Sequence, residues 1–200
     1  MFRVRKASLY TLLALAVALG GYVLFRGPGS FHGVSLATPA PALGLQAPHR
    51  GLVELDALAG DVVVLTFARP KCAPACTPQL ATLAAAVDRL GYARQNVRVL
   101  VVSLDPAVTP PELLAFVQDH DLGFTGLYGD STAVDRAARA YRAAAATAME
   151  ARWAPVDEAA VPDGREAQVY GIDRGGVLRV VWGTIDPVTL AEDIRTLLRF

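Results

Sequence analysis

Val62-Val63-Val64-Leu65-Thr66-Phe67-Ala68-Arg69-Pro70-Lys71-Cys72-Ala73-Pro74-Ala75-Cys76-Thr77-Pro78 is the stretch that decides the fold. Val62 to Phe67 is continuously built from apolar β-formers, the pattern of a strand buried on both faces. Thr77 then offers an N-cap oxygen, and Pro78 suits the first position of a helix. Leu80, Leu83, Val87 and Leu90 recur on one helical face, and Gly91 can close the end. A second buried strand follows at Val97 to Leu104. Strand, helix and strand at this spacing predict a parallel pair joined by a right-handed crossover.

Outward from that unit the punctuation is clear. Thr109-Pro110-Pro111-Glu112 is a capping box with proline at the first helical position, so a helix is predicted from there to about His120. Phe124 to Tyr128 reads as a third strand. Ser131 to about Met149 reads as an alanine-rich helix that buries Val134, Ala138, Tyr141 and Ala145. Gln168 to Ile172, the turn Asp173-Arg174-Gly175-Gly176, and Val177 to Trp182 form a predicted hairpin. Asp186-Pro187 opens a last helix with Leu190, Ile194 and Leu197 inward. The expected architecture is an α/β, thioredoxin-like fold: a central mixed sheet flanked by helices, with the two thiols where the first helix begins.

Upstream, Arg3, Arg5 and Lys6 precede an uncharged run from Ala7 to Phe25. Ser8 to Phe25 (SLYTLLALAVALGGYVLF) is long enough, at about 1.5 Å per residue, to cross a hydrocarbon core of roughly 30 Å. Residues 1–26 are therefore read as a cytoplasmic tip and a transmembrane helix, with the rest of the chain outside. A cleaved signal peptide is the alternative. Residues 27–50, rich in Gly, Pro, Ser and Ala and uncharged to about Pro48, read as a flexible linker, and 51–200 as the folded domain. A hydrophobic content of 53% supplies ample core. With zero formal net charge and no basic stripe, the chain is not that of a nucleic-acid binder. No phosphate loop, serine triad, dinucleotide fingerprint or hydrolytic carboxylate pair is present.

Cys72 and Cys76 are the two cysteines of the chain. They can close a disulfide or grip a soft metal. Orphan N–H groups at the helix start, with Lys71 and Arg69 nearby, favour thiolate over thiol. A purely stabilising disulfide would close a very short loop and so remove little entropy from the unfolded chain. Structural zinc wants four ligands, and no second Cys or His pair exists; copper(I) accepts fewer and softer ones. Asp105, at a strand-end turn, is a candidate proton acceptor. Tyr141, Trp153 and Trp182 read as packing residues.

Three segments carry a resemblance to the Sco/SenC family, membrane-anchored thioredoxin-fold proteins outside the cytoplasm. VVVLTFARPKCAPACTPQL (62–80) resembles that family's strand followed by Cys-x-x-x-Cys-Pro, with the proline displaced by one to Pro78. VRVLVVSLDPAVTPPELLAFV (97–117) resembles its second strand, Ser-x-Asp-Pro turn and Thr-Pro-Glu helix start. FTGLYGD (124–130) and VYGIDRGGVLRVV (169–181) match later elements in order and spacing. The resemblance implies delivery of copper to, or reduction of thiols in, the copper centre of a respiratory oxidase. It also implies a single-pass inner-membrane protein whose domain faces the periplasm, with an oxidase subunit or another extracytoplasmic thiol or copper protein as partner. Cys72 and Cys76 carry over as catalytic thiols and copper(I) ligands. The family's third ligand, a histidine, falls on Arg165, which has no lone pair to offer a metal. His32, His49, His120 and Met149 are the remaining candidates: the first two as linker residues, His120 as an imidazolium at a helix end, Met149 as packing. Three readings stay open: copper handling, metal-independent thiol–disulfide exchange, and a binding module with an inert disulfide.

Overall fold

A computed structural model describes residues 30–71, 78–150, 168–183 and 186–200. Strands β1 (Val34–Pro39), β2 (Leu45–Ala47), β3 (Gly51–Val53), β4 (Val62–Ala68), β5 (Val97–Ser103), β6 (Thr125–Leu127), β7 (Val169–Ile172) and β8 (Val177–Trp182) combine with four helices. These are α1 (Pro78–Asp88), α2 (Pro110–Gln118), α3 (Ser131–Glu150) and α4 (Pro187–Leu197). All seven residues of β4 are buried, as its uninterrupted apolar run requires. It pairs in parallel with β5 from Val62↔Val97 to Ala68↔Ser103, and antiparallel with β7 from Val63↔Ile172 to Thr66↔Val169. The six-stranded sheet has the order β1-β8-β7-β4-β5-β6, mixed as expected, and β2 with β3 makes a separate hairpin.

The alternation of β4 side chains divides the core in two. Val62, Val64 and Ala68 face α1 and α4, meeting Leu80, Leu83 and Val87 from one and Leu190, Ile194 and Leu197 from the other. Val63, Leu65 and Phe67 face α3, packing with Val134, Ala138, Tyr141 and Ala145. The helix boundaries follow local chemistry. The Thr109–Glu112 capping box is fully formed on α2, and the Asp186 carboxylate accepts from the Val188 and Thr189 amides at the head of α4. The Asp173–Gly176 turn works through the Asp173 carboxylate, which accepts from the Gly175 and Val177 amides, and through Gly176 at φ +77°.

The expected linker is where sequence and structure part. Residues 34–39 pair with β8 along the edge of the main sheet, and 45–47 form β2. Leu43, Leu45 and Ala47 are buried in the α3-side core, so the domain begins at Phe31 rather than Gly51. Glycine, proline and alanine richness suggested a spacer, yet Leu43-x-Leu45-x-Ala47 already carries the alternation of a half-buried strand. Two glycines make room for Trp182 against this first strand and β7. A Cβ on Gly33 would lie 2.6 Å from Trp182 Cδ1, and one on Gly171 2.5 Å from its Cη2. The expected anchor, residues 1–26, lies outside the described residues. Among those described, no helix is long and apolar enough to cross a membrane.

A chain restarted at Gly51 is expected to lose cooperative unfolding in thermal denaturation, whereas one restarted at Phe31 keeps it. Leu45→Ala, at a fully buried position, should cost about 3 kcal/mol in denaturant titration.

Candidate functional site

Parallel pairing sets the carboxyl ends of β4 and β5 side by side, and the antiparallel β7 begins at that same end. β8 finishes there too, with Val169 opposite Trp182. The chain leaving β4 is held against the turn after β5. Leu104 donates its amide to the Ala68 carbonyl at 2.8 Å, and Lys71 Nζ donates to the Ala107 carbonyl at 3.0 Å. Asp105 shapes that turn by accepting the Ala107 amide at 2.9 Å, so its carboxylate has a structural task whatever else it does. The Lys71 charge also reaches Glu112. Hydrogen bonds from the Thr109 amide and hydroxyl, in that order, hold the Glu112 carboxyl below its usual range, and Lys71 adds to the effect.

Cys72 and Cys76 themselves lie outside the described residues, as does Arg165. Their flanks do not. Lys71 stands just beyond the end of β4, Pro78 opens α1, and Gln168 leads into β7. A chain of hydrogen bonds joins two of these flanks. Gln79 Nε2 donates to Thr66 Oγ1 at 2.9 Å, Thr66 Oγ1 donates to the Gln168 carbonyl at 3.2 Å, and Tyr170 Oη donates to Gln168 Oε1 at 2.7 Å. Tyr170 is buried edge-to-face against Tyr141 and Phe67. Burial pushes the phenols of both tyrosines well above their ordinary range, so they stay neutral donors.

The remaining candidates separate cleanly. His49 sits exposed in the β2–β3 turn with φ 64°, a left-handed conformation suited to a tight turn. His120, just past α2, packs edge-on to Phe116 at 5.4 Å between ring centres. Met149 falls in the last turn of α3. Trp153 lies outside the described residues, and Tyr141 and Trp182 are core residues as expected. His32 is no incidental linker residue. Its Nδ1 lies 2.8 Å from Asp193 Oδ1, and its amide donates to both oxygens of that carboxylate. The Gly33 amide and Trp182 Nε1 donate to Asp193 Oδ2 as well, the latter at 2.7 Å. Asp193 is 1% exposed, so these donors replace the water its charge has lost. Among the described residues no cluster of three or more His, Cys, Asp or Glu side chains could hold a metal ion.

Comparison with known proteins bears on this geometry. The SCO1/SenC family model matches residues 47–199. The chain belongs to that family. Solved Sco structures share its fold. Copper-bound ScoI of Bradyrhizobium japonicum superposes with a TM-score of 0.61 at 18% identity, covering 80% of this chain and 100% of that one. Yeast Sco1 gives 0.63 at 19%, covering 79% and 92%, and apo Sco1 of Thermus thermophilus gives 0.63 at 22%, covering 84% and 98%. No curated protein sequence matches the chain. Two features of this SCO1/SenC domain escaped sequence reasoning. The His32–Asp193 contact joins residues 161 apart, beyond any local pattern. The Thr66 hydroxyl had a local signal, as the one polar residue in an otherwise apolar strand.

Asp193→Asn should destabilise the domain by about 3 kcal/mol in urea titration, because one of the amide's two polar ends must face a ring of donors. The hydrogen bond that His32 donates to Asp193, and next the Asp193 charge, raise the His32 pKa from its ordinary value of 6.5. A raised folded-state value adds stability that is complete below about pH 6.5 and fades as pH climbs through the raised value. His32→Ala should therefore lose more stability at about pH 5.5 than at about pH 8.5. An equal loss at both would contradict a protonated contact.

Proposed function

We propose that this chain is a membrane-anchored Sco-like protein that uses Cys72 and Cys76 to deliver copper(I) to, or reduce thiols of, the copper centre of a respiratory oxidase. The observation that carries the reading is positional. The flanks of the Cys72–Cys76 segment meet, at one end of a mixed sheet, the root of the segment on which the family's ligand histidine falls. Support also comes from membership of the SCO1/SenC family and from the shared fold of a copper-bound relative. Residues 1–26 would supply the anchor and place the domain on the periplasmic face of the inner membrane.

Copper(I) is cargo in this reading, held for transfer. Two thiolates fit its preference for soft, few ligands. Helix-start N–H groups, which follow the pair closely in sequence, would favour thiolate and so metal binding. Arg165 leaves the third place without its usual imidazole, and His32 Nδ1 is already engaged by Asp193. A two-thiolate site holds copper less tightly and releases it more readily.

Arg165 favours a second reading, metal-independent thiol–disulfide exchange. Cys72 thiolate, beside Lys71, attacks one sulfur of a client disulfide, forming a mixed disulfide and releasing one client thiolate. Cys76 thiolate then attacks the Cys72 sulfur, closing the Cys72–Cys76 disulfide and releasing the second client thiolate. Two electrons pass to the client, and solvent protonates its two thiolates.

In cells lacking this chain, oxidase activity should fall, return with the wild-type gene, and stay low with Cys72→Ser. Rescue of the deletion by added copper supports delivery, whereas rescue by a small membrane-permeant dithiol alone supports exchange. Full function of Cys72→Ser would leave a binding module with a dispensable disulfide. In the purified protein, Arg165→His should raise copper(I) affinity by about tenfold or more, and an unchanged affinity would contradict placing the missing ligand at that position.

A further inference from the structure

Thr66 is an odd residue for its position. β4 reads Val-Val-Val-Leu-Thr-Phe-Ala, every residue buried, and Thr66 is 1% exposed. It shares the face of Val64 and Ala68, which pack against α1. Valine has the same shape and carries no hydroxyl to desolvate, so apolar packing alone gives no reason for threonine here. The hydroxyl is fully used. It accepts from Gln79 Nε2 at 2.9 Å and donates to the Gln168 carbonyl at 3.2 Å.

The ends of this chain matter more than its middle. Gln79 is the second residue of α1, three positions past Cys76. Gln168 directly precedes β7, three positions past Arg165. The backbone pairing of Thr66 with Val169 sets β7 on β4 and does not itself reach the start of α1, whose core contacts lie further along the helix. The side-chain bond from Gln79 brings the helix start to the same hydroxyl that holds the root of β7. Beyond Gln168 the chain is anchored in the opposite core. Tyr170 donates to Gln168 Oε1, and its ring centre lies 5.1 Å from that of Tyr141, whose own hydroxyl donates to the Pro41 carbonyl.

We propose that Thr66 and Gln79 are positioning residues, which lock the start of α1 to the root of β7 and thereby set the reactivity of the Cys72–Cys76 pair. This rests on the reading of those cysteines as a working dithiol. With the lock intact, the first turn of α1, which begins two residues after Cys76, is held in place, and its N–H groups would favour thiolate and hence the reduced pair. With the lock cut, Gln79 turns to solvent, the helix start loosens, and the reduced pair loses stabilisation. The disulfide then becomes relatively more favoured.

The test uses the protein from Phe31 to Phe200, the unit that folds if the Gly51 and Phe31 restarts behave as expected, or otherwise the full chain in detergent. Equilibrium is measured for the reaction of protein dithiol with glutathione disulfide, giving protein disulfide and two glutathione thiols. Thiolate absorbance is followed against pH in parallel. Thr66→Val and Gln79→Leu should each shift the equilibrium toward protein disulfide by about threefold or more and raise the pH at which the thiolate forms. The double variant should shift no further than either single one, because both remove the same bond. Thr66→Ser keeps the hydroxyl and should retain wild-type thiol chemistry even where its melting point falls. Val64→Ala, a core truncation in the same strand, should lower the melting point and leave both readouts unchanged.

Wild-type values of equilibrium and titration in Thr66→Val and Gln79→Leu would overturn the proposal and reduce the network to packing. Failure of the wild type itself to interconvert dithiol and disulfide would overturn the working-dithiol reading, and this proposal with it. The two failures are read on different proteins and cannot be confused.

Discussion

Strand β4 is buried on both faces and hydrogen-bonded on both edges, and the rest of the domain is arranged by that fact. A strand with no solvent face must have layers above and below it, which α1 and α4 supply on one side and α3 on the other. Its parallel partner β5 demands a crossover, and α1 is that crossover. The link from β4 to α1 must therefore lie at the carboxyl end of the sheet. Cys72 and Cys76, the thiols proposed to carry the chemistry, fall within that link in the sequence, the place where ligands bind in open α/β sheets.

Several buried polar side chains interrupt the otherwise apolar interior. Thr66, two residues before the end of β4, and Ser103, the last residue of β5, are both buried, and both hydroxyls have partners. Asp193 is another, and its carboxylate is enclosed by donors from β8, from Gly33 just before β1 and from His32. Buried polar groups of this kind add little net stability but strongly penalise other arrangements, since each would be left unpaired elsewhere. The apolar core thus makes the domain fold, while the polar contacts fix how its first strand, last helix and thiol helix meet.

Much of this was legible in the sequence. The Val62–Phe67 run, the Thr109–Glu112 capping box, the Asp173–Gly176 turn and Asp186-Pro187 each announce their element through local chemistry, and each sits where that chemistry places it. β1 and β2 were missed because their residues are small and proline-flanked, and because β1 is held by pairing with β8, about 140 residues later. Asp193 carries no local signal of its role; only the tertiary fold brings Trp182 and His32 to it. For the candidate site, residue type picked out Cys72 and Cys76, and family resemblance drew attention to Arg165. The Thr66–Gln79 bond was not legible, since nothing local says that a threonine in a strand will meet a glutamine 13 residues on.

Function in this domain turns on whether Cys72 and Cys76 act together as a soft, two-sulfur site. Copper and electron transfer both require two cooperating thiolates, and they differ in whether the pair holds metal against competition. Copper(I) titration of the reduced, anaerobic protein against a tight chromophoric chelator tests this most directly, with Cys72→Ser and Cys76→Ser alongside. One copper(I) per chain, retained against the chelator and lost in both variants, is the result the account predicts. Binding no tighter than that of a simple exposed dithiol, or equal in the variants, would contradict it.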